Sequence, residues 1–284
     1  MSLVLRRAVA EARADDVPMV AQALAYSLFL AIPSAMLVVL GVFSLVADAS
    51  TVQTIIDRAQ QVMPEEAATL LRDSLLRSTQ STGSALAMTI VGFALAIWTT
   101  TSAATTLMKG ITIAFDGAES RSFLRTRVLA GAIVGALVLA IALVVGLLVL
   151  GPHLERWVGD IVGVPTLTAW LWWTLQWPLL VVGLLFSFAV VLYLGPDIDR
   201  PGWRLISPGA VTALVIWVAV SAGFAFFSAN FGSYDKTWGT LAAVVVTLVW
   251  LWLTSAAILF GAEVNAQARR LATEREREAG LGTV

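Results

Sequence analysis

Apolar and polar residues fall into long blocks along the chain, and these blocks indicate the fold. The clearest block, Thr240 to Ala262, has 23 residues and no charged side chain. A helix of about 20 apolar residues crosses a hydrocarbon core of about 30 Å, so this block predicts a membrane-spanning helix. Similar blocks recur along the chain. The sequence predicts an all-α, polytopic membrane bundle of six transmembrane helices at about 19–47, 84–108, 128–150, 168–194, 207–228 and 240–262.

The segment 51–81 between the first two blocks is too polar to span a membrane, but its apolar residues recur at helical spacing. We therefore predict two amphipathic helices on the extracellular side, broken near Pro64. They would lie on the membrane surface or cap the bundle, and a gate over a cavity is the alternative. The first block is too long for a signal peptide and predicts an uncleaved span. We expect residues 1–284 to form one membrane domain, with a cytosolic tail at 263–284.

Composition narrows the class of protein further. The hydrophobic share is 58%, the charged share is 13%, and the net charge is -1. Nucleic-acid binding needs clustered cations and is not expected. The chain has no cysteine and a single histidine, His153, so we expect no metal site, no cofactor and no thiol chemistry.

Cations are distributed unequally between the two sides of the predicted bundle. Of 18 Lys and Arg residues, 13 fall on the side of the termini and 5 on the other side. The positive-inside rule then predicts that both termini are cytoplasmic. Charged residues are absent from the predicted spans, which argues against a charged intramembrane relay.

Local signals suggest where helices begin and pack. Asp15 and Asp16 precede Pro18, and Ser207 precedes Pro208, which is typical of helix starts. Gly131 and Gly135 form a GxxxG pattern that predicts a closely packed face.

The first two spans contain candidates for a substrate groove. Pro33 should kink the first span, and the second carries a dense run of hydroxyls after Trp98. Such hydroxyls often bond to their own helix, so simple helix packing is the alternative to a polar lining. The groove candidates are Gln22, Tyr26, Pro33, Ser34, Thr99, Thr100, Thr101, Ser102 and Thr105.

Two further sets of residues lie at the ends of the last spans. The outer loop predicts a structured turn, with a solvated loop as the alternative, and its candidates are Asn230, Gly232, Tyr234, Asp235 and Lys236. Glu263 and Asn265 lie two residues apart and should point to different faces of the last helix. We expect Glu263 to face protein and to pair with a cation of the second loop, with Arg121 and Arg125 favoured, as an inner-end clamp. A headgroup site or a proton site is the functional alternative.

Three stretches of the chain carry a family resemblance: Gln22–Pro33, Thr100–Phe115, and Asn230–Gly239 together with Gly261–Asn265. They resemble the YihY/BrkB family of bacterial inner-membrane proteins, whose older members were labelled ribonuclease BN. Ala31 and Ile32 depart slightly from the family pattern before the proline. The resemblance implies six helices in a bacterial plasma membrane, and it supplies no catalytic residue.

The function indicated by these features is that of a transporter or a protein that translocates lipids or other amphiphiles. A non-transporting membrane scaffold or envelope-maintenance protein is the alternative. We do not expect an enzyme, and RNA hydrolysis in particular lacks the acid-base or metal-binding groups that it needs. The expected partners are membrane lipids, and a homo-oligomer or a complex with other membrane proteins is left open.

Overall fold

The computed structural model describes residues 2–46, 82–140, 157, 165–198, 206–231 and 240–278. Seven helices fall within these ranges. They are α1 (Ser2–Ala14), α2 (Val17–Val46), α3 (Thr82–Ala114), α4 (Phe123–Ala140), α5 (Pro165–Leu194), α6 (Pro208–Phe231) and α7 (Thr240–Glu278). The predicted amphipathic helices at 51–81 lie outside the described residues.

Six of these helices, α2 to α7, are long and apolar enough to cross a membrane. Their surfaces carry large apolar side chains that a water-soluble protein would bury, such as Phe93, Val138, Leu175 and Phe226, which are 56%, 59%, 54% and 69% exposed. Exposure on this scale is expected when lipid rather than water is the solvent. The predicted all-α membrane bundle with six transmembrane helices is therefore confirmed.

The chain forms two compact units, and each is described by itself. One comprises residues 1–26 and 101–284, and the other residues 27–100. In the first unit, α6 and α7 pack along each other, α1 packs on α7, and α5 packs on α6. Phe188, Trp217 and Trp250 join α5, α6 and α7 by edge-to-face ring contacts, with centroids 6.5 and 6.4 Å apart.

Helices α6 and α7 approach each other closely at Gly209 and Gly261. A Cβ atom added to Gly261 would lie 2.7 Å from the Gly209 carbonyl oxygen and 2.9 Å from Ala213 Cβ. Glycine is therefore required for these helices to touch. The packed face predicted at Gly131 and Gly135 is not found among the described residues, since no atom there would lie within 4 Å of a Cβ at either position.

Two aspartates end helices in the left-handed conformation. Asp16, after α1, has a φ of 49°, and Asp116, after α3, has a φ of 53°. The left-handed region is uncommon for residues other than glycine, although Asp and Asn tolerate it. The Gly117 N–H then donates to the Thr112 carbonyl at 3.0 Å and closes α3. These turns bring acidic side chains to the end of the bundle that holds the polar half of α7.

Candidate functional site

The polar side chains of the first unit concentrate at one end of the bundle. This polar end consists of α1, residues 15–16, residues 115–121, residues 195–198, the start of α6, and α7 from Glu263 onward. Three features lie there: an ion cluster, a pair of buried carboxyl groups, and a cavity.

The ion cluster is built around Asp197, which follows α5. Asp197 Oδ2 accepts hydrogen bonds from the backbone N–H and the hydroxyl of Ser120, both at 2.7 Å. Arg121 Nε lies 3.4 Å from Asp197 Oδ1 and 2.7 Å from Glu119 Oε1. The Asp197 N–H donates to the buried Thr112 hydroxyl at 3.1 Å. The cluster thus joins the ends of α3 and α5.

These donors fix the charge of Asp197. The hydrogen bonds from Ser120 lower the pKa of the Asp197 carboxyl below its ordinary value, and the positive charge of Arg121 adds to the effect. Donors and cations stabilise the ionised form of a carboxyl group. Asp197 is therefore a carboxylate throughout the physiological pH range.

The carboxyl pair comprises Asp15, between α1 and α2, and Glu263 on α7. Glu263 is 0% exposed. Asp15 Oδ2 and both oxygens of Glu263 are buried and have no donor as a partner in the part of the chain that the structure describes. The two carboxyl groups lie within hydrogen-bonding reach of each other. Since a carboxylate only accepts, they can bond only when one of them carries a proton.

Further acidic groups surround the pair. Burial raises the pKa of the Asp15 carboxyl, and the negative charges of Glu11 and Asp116 raise it further, while its contact with Glu263 and the charge of Arg270 act in the opposite direction. Arg270 is already engaged. It bonds to Asp116, and its Nη1 lies 3.3 Å from Glu11 Oε1. The cation near the pair therefore neutralises other carboxylates.

Asn265 lies on a different face of α7 from Glu263. Its Oδ1 accepts from the Gly209 N–H at 2.7 Å, and its Nδ2 donates to the Ser207 hydroxyl at 3.1 Å. The Ser207 hydroxyl in turn accepts from the Ala210 N–H at 3.1 Å, so Ser207 caps α6 as predicted. Asn265 fixes the start of α6 at its close contact with α7.

A cavity of about 350 Å³ opens beside Asn265. Its apolar wall includes Ala189, Leu192 and Pro208, and its polar groups come from Tyr193, Ser207, Asn265 and Arg269. Phe115, Ala268 and Ala272 complete it. Mostly apolar walls with a few polar groups are typical of sites for small molecules and lipids. The sequence analysis missed Tyr193 and Arg269, because only the packing of α5 on α6 and α7 brings them together.

The predicted clamp is correct in part. Glu263 faces protein, and it points away from Asn265, as expected. The predicted ion pair with Arg121 or Arg125 is wrong: Arg121 is held by Glu119 and Asp197, and it donates to the Gly195 carbonyl at 2.8 Å. Instead, α7 is tied to the second loop by Arg270 and Asp116, so the cation comes from the helix and the acid from the loop.

The hydroxyls of the predicted groove bond mainly to nearby backbone. In the second unit, Thr99 donates to Leu95 O at 2.8 Å, and Thr100 donates to Ala96 O. Ser34 donates to Leu30 O at 3.2 Å, next to the carbonyl that Pro33 leaves without its usual donor. Pro33 itself lies inside a continuous α2.

In the first unit, two of these hydroxyls contact an arginine. Arg127 Nη1 donates to Thr101 Oγ1 at 2.9 Å and to Ser102 Oγ at 3.0 Å, and its guanidinium lies 5.4 Å from the Phe123 ring centroid. Thr105 bonds to Ser102 O at 2.8 Å, while Gln22 and Tyr26 are exposed. Arg127 lies near the start of α4, so a cation close to the start of a span was the signal for this contact.

The outer-loop candidates fall largely outside the described residues. Gly232, Tyr234, Asp235 and Lys236 are not described, and Asn230 is described only in its backbone, in α6. Over the residues that are described, no group of three or more His, Cys, Asp or Glu side chains could hold a metal ion.

The sequence profile of the family described as virulence factor BrkB matches residues 8–281. The chain belongs to this family. The match includes the three stretches that carried the resemblance, and also the part of α1 from Ala8 onward and the carboxyl pair. No solved structure matches the chain.

The curated relatives of this BrkB-family chain include a ribonuclease-like protein and several UPF0761 membrane proteins. The ribonuclease-like protein YfkH of Bacillus subtilis is 27% identical over 62% of this chain and 63% of its own length. UPF0761 membrane proteins of Pseudoalteromonas translucida and Tolumonas auensis are 28% and 26% identical over 37% and 51% of this chain, and over 33% and 46% of their own lengths. The matches thus span less than two thirds of these relatives. The names of the two UPF0761 relatives describe membrane proteins. Among these three relatives, only the name of YfkH refers to ribonuclease activity.

Proposed function

We propose that this BrkB-family protein is a transporter that translocates a lipid or a similar amphiphile across a bacterial plasma membrane. The observation that carries the proposal is the cavity at the polar end. Its wall joins apolar side chains to Tyr193, Ser207, Asn265 and Arg269, which suits a ligand with a polar headgroup and an apolar tail. Arg269 would attract an anionic headgroup.

The distribution of charge supports one orientation of the protein in the membrane. The Lys and Arg distribution of 13 against 5 favours the side of the termini as cytoplasmic. The polar end and its cavity would then face the inner leaflet. Reporter fusions test this: fusions at Glu119 and after Glu278 should report the cytoplasm, and a fusion at Gln80 should report the outside. A cytoplasmic signal at Gln80 would reject the topology.

The direct test is lipid movement in reconstituted vesicles. Phosphatidylglycerol and phosphatidylcholine with dye-labelled acyl chains would be added, and the dye in the outer leaflet reduced chemically over time. We expect vesicles with the protein to move the anionic lipid faster than protein-free vesicles. Arg269→Ala should slow the movement. Arg275→Ala, on the same helix but outside the wall of the cavity, should leave it unchanged.

A second variant tests the cavity itself. Ala268→Leu adds three carbon atoms to the wall and should slow movement of both lipids without lowering the yield of folded protein. If folded wild-type protein moves neither lipid faster than protein-free vesicles, the transport proposal fails. The non-transporting scaffold would then be the better interpretation.

A further inference from the structure

The pair of Asp15 and Glu263 combines features that ordinary structural carboxyl groups do not share. Glu263 follows directly on the uncharged run of α7, is fully buried, and has no donor for either oxygen among the residues that the structure covers. A buried acid without a donor or a paired cation is strongly unfavourable when charged. Glu263 therefore requires a bound cation or a proton at this position.

A second unpartnered group points to the same position. Gln267 lies one helical turn beyond Glu263 on the same face of α7. It is 3% exposed, and its Nε2 has no acceptor in the described part of the chain. Buried polar groups are nearly always hydrogen-bonded, so each such exception calls for an explanation. Polar groups without partners are thus concentrated on one face of α7, beside the two acids.

We propose that Asp15 and Glu263 form a binding site for one exchangeable proton. A proton on an oxygen of one acid forms a hydrogen bond to the other acid, which then shares a single negative charge. No larger ligand set is needed. Metal ions are disfavoured, because Ca²⁺ and Mg²⁺ take six or more ligands and Zn²⁺ usually takes four, and the described residues include no group of three or more His, Cys, Asp or Glu side chains that could hold a metal.

The charges around the site leave it dependent on the proton. Glu11 from α1 and Asp116 from the end of α3 are acidic, and Arg270 from α7 is the cation. Arg270 bonds to both Glu11 and Asp116, so the pair keeps a surplus of negative charge. Two acids that share a site cannot both ionise easily.

The burial of the two acids differs in a way that suits exchange. Asp15 is half-buried beside the exposed Asp16, whereas Glu263 is sealed from solvent. A proton from water can reach Asp15, pass to Glu263, and return by the same route, with no other reactant consumed. Use of this proton to drive lipid movement would rest on the proposed transport function.

The test is infrared spectroscopy of the full-length protein in lipid vesicles. The wild type should show a band of a protonated carboxyl group that shifts in heavy water and disappears as the pH is raised. Glu263→Gln should weaken it and move its midpoint to lower pH, because only the Asp15 carboxyl group of the pair is then left to bind a proton. Asp15→Asn should move its midpoint to lower pH, because it removes a neighbouring negative charge. Glu274→Gln, at an exposed acid on the same helix, should leave the band unchanged.

Several results would overturn the proposal. They are the absence of a titrating band in the wild type, a band whose intensity and midpoint stay unchanged in both Glu263→Gln and Asp15→Asn, or a midpoint that moves when sodium replaces choline. If Glu263→Gln does not fold, Asp15→Asn decides. The readout is independent of transport: a titrating band in a protein that moves no lipid would uphold the proton site and reject the proposed function.

Discussion

Asp197 and Glu263 both lie at the polar end of the bundle, but their surroundings are opposite. Asp197 receives two hydrogen bonds from Ser120 and lies beside Arg121. Glu263 receives none from the described residues and lies beside another acid, Asp15. The charge of a carboxyl group therefore depends on the number of hydrogen-bond donors that the fold places around it. One site is a structural ion cluster, whereas the other can store a proton.

The largest effect is expected from breaking the ion cluster. Asp197→Ala removes two charge-assisted hydrogen bonds and one ion pair, and it leaves Arg121 with Glu119 alone. Hydrogen bonds to charged groups contribute about 1.5–3 kcal/mol, so we expect a loss of about 2 kcal/mol in unfolding free energy. Thermal unfolding in detergent measures it. Glu276→Ala, at an exposed position of α7, is the matched control and should change little. Wild-type stability in Asp197→Ala would show that Ser120 and Arg121 do not stabilise the fold through this acid.

The next effect is the dependence of stability on pH, where the two sites have opposite signs. The pKa of Asp15 is raised above its unfolded value of about 3.9, so the folded state binds the proton more tightly. This contribution is fully present below pH about 3.9 and is lost as the pH rises toward the folded pKa. The pKa of Asp197 is lowered, so its contribution is present above pH about 3.9 and is lost below that value.

Between pH about 4 and 7, the wild type should therefore become more stable as the pH falls. The partial exposure of Asp15 keeps this effect small, because water screens the charges around it. Unfolding measured across this range should give a flatter curve for Asp15→Asn and an unchanged slope for Asp197→Asn. Equal slopes in the wild type and Asp15→Asn would contradict the assignment.

The same contrast explains what the sequence could predict. The six spans follow from long apolar runs, and the cap at Ser207 follows from a short local pattern, because both signals lie within one helix. The burial of Glu263 was also predictable, since an acid at the end of a span needs a protein environment. Helical geometry alone predicts that Glu263 and Asn265 point to different faces of α7.

The partners of these residues could not be predicted, because they come from distant parts of the chain. Asp15 meets Glu263 only because α1 packs on α7, and no charge rule would pair two acids. Likewise, the glycines that matter for close packing are Gly209 and Gly261, which match across two helices. The GxxxG pattern at Gly131 and Gly135 lies within a single helix and does not specify a neighbour. Arg121 was assigned to the wrong acid for the same reason.

A smaller effect tests whether the nearby cation limits the proton affinity of the pair. The positive charge of Arg270 lowers the pKa of Asp15, so its removal should raise it. Arg270→Gln should move the infrared midpoint of the carboxyl pair to higher pH, by about one unit or less. Arg275→Gln is the control, because Arg275 lies more than one helical turn beyond Arg270 on α7. It should leave the midpoint unchanged. A shift to lower pH would show that Arg270 does not act on the pair through its charge.

The smallest effect is expected at a third kind of acid, one that is paired but exposed to water. Arg7 Nη1 lies 3.1 and 3.0 Å from the two oxygens of Glu274, and the two side chains are 42% and 51% exposed. Water screens such a pair, and measured exposed pairs contribute about 0.2–1 kcal/mol. Arg7→Ala should therefore lower the unfolding free energy by about 0.5 kcal/mol or less, and added salt should erase the difference. Arg6→Ala, at an exposed neighbour, is the control. If Arg7→Ala lowered the stability as much as Asp197→Ala, pairing with a cation would be enough to make an acid stabilising. Buried hydrogen-bond donors would then not be what distinguishes Asp197 from Glu263.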